Sequence, residues 1–176
     1  MRRLAAPLLA LALVAVSCGT DSGDGVADEA SFDVVPYNHE DVFGGSDVQF
    51  SSVLGNGTPV VLNFWAALCP PCLAEMPWLQ AASEQYEGEV LLVGVDVGPF
   101  TGLGNNEQGA DLLDELGITY PAAYAVDDTP LREFEVIGMP STVFFDGDGR
   151  IVESHSGILT ESQIEDWFSR LADGAS

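Results

Sequence analysis

The run Val60-Val61-Leu62-Asn63-Phe64-Trp65-Ala66 constrains the fold more than any other stretch of the chain. It is apolar at nearly every position and partly β-branched. That is the pattern of a strand covered on both faces, at the centre of an α/β sheet. The run leads to Cys69-Pro70-Pro71-Cys72, after which Leu73-Ala74-Glu75-Met76-Pro77 opens a helix. Two cysteines with two residues between them therefore sit where a central strand hands over to a helix.

This placement suits thiol chemistry. The thiolate is the nucleophile, and the free N–H groups and partial positive charge of a helix start favour it. Cys69, at or just before the first helical position, is expected to be the exposed, readily ionised attacker. Cys72, one turn on, is placed to attack a mixed disulfide on Cys69 and release the partner. Pro70 and Pro71 suit a first turn, where a missing N–H costs little. They also stiffen the loop and withhold donors from the thiolate. A structural zinc site would need two further ligands, and Cys18, His39 and His155 are scattered along the chain. The expectation is therefore no metal and no cofactor beyond a redox-active Cys69–Cys72 disulfide.

The rest of the chain frames that centre. Its 176 residues allow one domain plus extras. The net charge is −23, with 28 acidic residues, five arginines and no lysine. Such a surface argues against nucleic acid and against anionic lipid head groups, and it makes a monomer the expected state. Residues 1–17 read as a secretory signal: Met1-Arg2-Arg3, an apolar stretch from Leu4 to Val16 too short to span a bilayer, then small residues. Ala15-Val16-Ser17-Cys18 resembles a bacterial lipobox, in which Cys18 carries the lipid. The alternative is an ordinary signal with a chance cysteine. Residues 18–31 then form the lipidated cysteine and a flexible acidic tether, and residues 32–176 the folded domain.

Within that domain, Phe32–Val35 and Val48–Phe50 are expected to be short strands joined by a turn at Gly44-Gly45. A helix from Pro70 to about Tyr86 is expected to kink at Pro77. Val90–Asp96 reads as a second buried strand, 98–106 as a loop and Glu107–Leu116 as a helix. Tyr120–Val126 is extended. Thr129 is expected to cap a helix with Pro130 at its first position. Gly138–Asp146 and Arg150–His155 form a hairpin around Gly147-Asp148-Gly149, and Thr160 caps a final amphipathic helix. His39 and His155 have no partner spacing and read as ordinary surface or hairpin residues.

Leu62-Asn63-Phe64-Trp65-Ala66, the CPPC motif, Glu75-Met76-Pro77 and Gly138-Met139-Pro140-Ser141-Thr142 together resemble the TlpA/ResA family of membrane-tethered bacterial thioredoxin-like proteins. The resemblance covers about 32–171. It implies a thioredoxin fold, a mixed sheet flanked by helices, with an N-terminal β-hairpin added over 32–50. It implies a cis Pro140 against the cysteines, with the Met139 backbone offered to an incoming peptide strand. It matches Glu75 to an acidic residue near the family's active site. On spacing alone, a glutamate early in a helix usually faces water. Trp65 is expected to pack beside the dithiol. Asn63 stands where thioredoxin has a buried, titratable aspartate, and Leu68 replaces the usual aromatic before the first cysteine.

The function expected is an extracytoplasmic, lipid-anchored thiol–disulfide oxidoreductase. It would reduce disulfides of protein substrates, as the family often does in cytochrome c maturation, with electrons from a membrane donor. The alternatives are a disulfide-forming oxidant, a peroxide-linked relative, a dithiol copper carrier, or a binding lipoprotein whose CxxC is static.

Overall fold

The computed structural model describes residues 31–46 and 48–174. The expected signal segment, Cys18 and the tether as far as residue 30 lie outside the described residues. The elements run β1 (Asp33–Pro36), α1 (Glu40–Phe43), β2 (Val48–Gln49), a 3-10 turn (Phe50–Val53), β3 (Val60–Trp65), α2 (Pro70–Gln85), β4 (Leu91–Asp96), α3 (Gly98–Thr101), α4 (Asn106–Leu116), β5 (Ala122–Ala125), α5 (Thr129–Glu133), β6 (Ser141–Phe145), β7 (Ile151–Ser156) and α6 (Glu161–Ala172).

One sheet carries them in the order β2-β1-β5-β4-β3-β6-β7. The continuous apolar strand, β3, lies inside it. It pairs parallel with β4 and antiparallel with β6, and all six of its residues are buried. Continuous hydrophobicity is what such a position demands. The β1–β2 hairpin docks antiparallel on β5 and extends the sheet on that side. This is the thioredoxin fold with the expected N-terminal addition.

Each face of β3 carries its own core. Val61 and Trp65 point toward α2, α4 and α6, among Met76, Leu79, Leu112, Phe144, Ile164 and Phe168. Val60, Leu62 and Phe64 point the other way, toward Phe32, Phe43 and Phe50 of the N-terminal addition. The alternation follows from the strand's period of two. Gly94, on β4, lets the first core close: a Cβ there would lie 2.9 Å from Tyr120 Cε2 and 3.0 Å from Trp65 Nε1.

Several boundaries differ from expectation. The hairpin strands β1 and β2 are joined through α1 rather than a bare turn at Gly44-Gly45. Residues 98–106 are not all loop, because α3 occupies Gly98–Thr101. Its first N–H is taken by the Asp96 carboxylate (Gly98 N to Asp96 Oδ1, 2.8 Å), and Pro99 suits a first turn. Asp128, not Thr129, is the cap of α5, and Pro130 is its second residue. Asp127 Oδ1 accepts the Thr129 N–H at 2.9 Å, which draws Thr129 into the helix. Helix α2 continues through Pro77; what is lost there is the N–H that would have met the Leu73 carbonyl. Thr160 caps α6 in a capping box with Gln163, as its spelling suggests.

Candidate active site

Strand β3 ends at Trp65, and the chain turns through Ala66–Leu68 to put Cys69 at the cap of α2. Cys69 and Cys72 are joined, with an S–S distance of 2.07 Å and Cα atoms 5.3 Å apart. The Cys72 N–H donates to Cys69 Sγ at 3.3 Å. That donor belongs to the set of helix-start N–H groups left without a backbone acceptor. When the bond is reduced, the same N–H stabilises negative charge on Cys69.

Cys69 is not the exposed residue expected. It is 2% exposed and Cys72 1%. Two segments fold over it. One is Val136–Met139, which leads into β6. The other is the stretch from α3 to Leu103, fixed by the Leu68 N–H donating to the Leu103 carbonyl at 2.7 Å. Together they make a groove of about 360 Å³ with Cys69 in its lining, beside Pro70, Pro71, Leu103, Ile137 and Met139. Solvent exposure passes to the neighbours: Leu68 is 54% exposed and Ile137 91%.

The Met139–Pro140 peptide bond is cis. Ser141 Oγ donates to the Gly138 carbonyl at 2.8 Å, and Gly157 N–H to the Pro140 carbonyl at 2.8 Å. This loop is thereby pinned to β6 and β7, with Gly138 and Met139 on the groove.

Glu75 does not face water. It is fully buried, one turn after Cys72 on the same face of α2. Neither carboxylate oxygen has a hydrogen-bond partner. Burial pushes its pKa up to about 8 from an ordinary 4.5. The Leu159 N–H pulls the other way without reaching hydrogen-bond geometry. Glu75 is thus a neutral acid through most of the physiological range. Trp65 Nε1 and the Tyr120 hydroxyl are buried and unpartnered in the same core. Burial first, and the charge of Glu75 second, raise the Tyr120 hydroxyl above its ordinary range. Asn63 donates to Thr142 Oγ1 at 3.0 Å, across the β3–β6 pair, and its Oδ1 has no partner.

A second buried carboxyl, Asp96, lies opposite Trp65 in the β3–β4 register. It accepts from the Gly98 N–H and from the Tyr37 hydroxyl, each at 2.8 Å. Tyr37 Oη is also 3.1 Å from the Asn106 carbonyl. The pair thereby ties β1's exit, α3 and the start of α4 together behind the groove. A Cβ at Gly109 would overlap both Asp96 Oδ2 and Tyr37 Oη. Burial raises the Asp96 pKa against these two hydrogen bonds.

Sequence reading did not single out Asp96, Tyr37, Tyr120, Leu103 or Ile137. Asp96 carried a usable signal, since a carboxylate closing an apolar strand is an anomaly. The others carried none. His39 bonds the Thr119 carbonyl at 2.8 Å. Among the described residues no group of three His, Cys, Asp or Glu side chains is arranged to hold a metal ion.

Comparison with known proteins agrees with this geometry. The thiol-disulfide oxidoreductase ResA of Oceanobacillus iheyensis is 32% identical over 130 residues, 72% of this chain and 63% of that protein. This chain thus spans under two thirds of that relative's length. ResA of Bacillus subtilis is 28% identical, over 74% of this chain and 69% of its own length. A putative thiol:disulfide interchange protein DsbE from Chlorobium tepidum superposes with a TM-score of 0.67 at 20% identity, covering 81% of this chain and 93% of that one, a likeness of fold. Residues 31–154 match the AhpC/TSA family. That match takes in the added hairpin, the central strands, the dithiol helix and the cis-proline strand, so the chain belongs to the AhpC/TSA family, on a thioredoxin fold.

Proposed function

We propose that the protein is an extracytoplasmic thiol–disulfide oxidoreductase that reduces disulfides of protein substrates. The observation that carries this is the Cys69–Cys72 disulfide at the start of α2, in a groove that also presents the Met139 loop. In the reduced protein, Cys69 thiolate attacks a substrate sulfur. A Cys69–substrate disulfide forms and the other substrate thiolate leaves. Cys72 then attacks Cys69 Sγ, closing the internal disulfide and releasing the second thiolate. Glu75, one turn from Cys72, takes the Cys72 proton in that step through its ionised fraction, which grows as pH approaches its pKa of about 8. The Met139 backbone holds the substrate as an added strand.

The address and the electron supply belong to the same proposal. Residues 1–17 direct export, Cys18 carries a lipid that holds the domain at the membrane, and 18–31 is the tether. A membrane donor re-reduces the dithiol, and cytochrome c maturation is the process this arrangement suits. The domain acts as a monomer. No helix among the described residues is long and apolar enough to cross a membrane.

A Cys72→Ser variant is expected to trap partners as mixed disulfides through Cys69. Trapping only by Cys69→Ser would reverse the roles, and trapping by neither would remove the reading. The direction of electron flow follows from the reduction potential. A value near or below about −250 mV supports a reductant, whereas one near about −120 mV makes the protein an oxidant.

A further inference from the structure

We propose that the groove over Cys69 selects disulfides carried on apolar segments of net positive charge and rejects anionic ones. This rests on the reading of Cys69–Cys72 as a working dithiol and adds the class of substrate.

Two independent features of the molecule converge on it. The first is the groove. From Pro70 and Pro71 across Leu103 to Val136 and Ile137, no lining residue except Cys69 carries an ionisable side chain. Around it Leu68, Phe100 and Ile137 are 54%, 39% and 91% exposed. Leu68 adjoins Cys69, Phe100 sits in α3 beside the lining residue Thr101, and Ile137 is itself in the lining. A substrate docking here gains by covering apolar area and finds no charged side chain to pair with inside.

The second feature is the field outside. The chain has 28 acidic residues and no lysine. Its three described arginines are all occupied by carboxylates near them in sequence. Arg132 pairs with Asp128, Arg150 with Asp148 at 2.5 Å, and Arg170 with Asp166 at 3.8 Å while lying over Trp167. None of the three lines the groove. Glu135, exposed, immediately precedes the groove residue Val136. An anionic disulfide therefore approaches an anionic thiolate through an uncompensated negative potential, whereas a cationic one is drawn in. A summed field of this kind changes association rates by about 10- to 1000-fold at low ionic strength. The apolar lining sets how tightly the substrate holds, and the charge sets which substrate arrives.

The step itself is balanced. Two electrons pass from the Cys69–Cys72 dithiol to the substrate disulfide. The protein ends as its internal disulfide and the substrate as two thiols.

The test uses the full chain, reduced and freed of reductant, with two small disulfides that differ mainly in charge: cystamine, a dication, and dithiodipropionate, a dianion. Each rate of internal disulfide formation is divided by that disulfide's rate with free dithiothreitol in the same buffer. The corrected cystamine-to-dithiodipropionate ratio is expected to exceed about 10 at about 10 mM salt and to fall toward one near 1 M, where charges are screened within about 3 Å. Glu135→Gln is expected to narrow the low-salt ratio. A corrected ratio near one at low salt overturns the proposal and leaves the dithiol reading intact. Failure of both disulfides to react at high salt overturns the dithiol reading, and the proposal with it. The apolar half is read with two cationic disulfide peptides that carry Leu or Ser beside the cystine. A lower KM for the Leu peptide, lost in Ile137→Ser, is expected, and equal KM values overturn that half.

Discussion

The two faces of β3 are built from one continuous hydrophobic run, yet they enclose different interiors. On the face toward the N-terminal addition, Val60, Leu62 and Phe64 join an apolar cluster with Val143 and Phe145, and Phe32 stacks on Phe50 with ring centroids 5.0 Å apart. On the face toward α2, Trp65 keeps company with the disulfide, Glu75 and Tyr120. That face holds Trp65 Nε1, both Glu75 oxygens and the Tyr120 hydroxyl without partners. Unpartnered buried polar atoms lower stability by about 1–3 kcal/mol each. The dry face therefore supplies stability, and the dithiol face spends part of it to keep titratable groups beside the sulfurs.

The comparison can be broken from either side. Phe50→Ala empties the dry face and is expected to destabilise the protein by about 3–5 kcal/mol in denaturant titration, with the reduction potential unchanged. A comparable shift in potential would mean that the two faces are not separable. Glu75→Gln acts on the other face, and its effect depends on pH. The folded protein holds the Glu75 proton up to about pH 8, whereas the unfolded chain releases it near 4.5. Between these values the folded state binds more protons, so stability falls as pH rises, by up to about 1.4 kcal/mol per pH unit. The variant is expected to flatten this slope in the oxidised protein and to become the more stable form as pH rises above about 4.5, with its full advantage reached near pH 8. Asp96, also raised, leaves a residual slope in the same direction. The variant should also slow resolution of a Cys69 mixed disulfide; an unchanged rate and an unchanged slope together would remove Glu75 from the chemistry. Tyr120→Phe is the smallest test. Deleting an unpartnered buried hydroxyl should raise stability by about 1 kcal/mol, and a loss of similar size would reveal a partner for that hydroxyl.

The fold class and the cysteine pair were readable in one dimension because each is a local spelling. A β-branched apolar run, a CxxC at a strand-to-helix junction and Thr160 with Gln163 three residues on all act within a few residues of themselves. The environment of Cys69 was not readable. It depends on Leu103 and Ile137, some 35 and 70 residues away, folding over the sulfur. The same holds for Glu75. A glutamate early in a helix is favoured by the helix dipole and usually faces water, and the packing of α6 and the Leu159 segment against that face closes it off. Asp96 and Tyr37 meet across 59 residues, a pairing no periodicity announces.

What the sequence by itself determined is therefore the strand, the helix start, the paired sulfurs and the negative field, since propensity, spacing and charge are properties of neighbouring residues or of their sum. What only the tertiary structure decided is which of those groups are dry. Burial sets the protonation of Glu75 and the access to Cys69, and burial is made by residues distant in the chain.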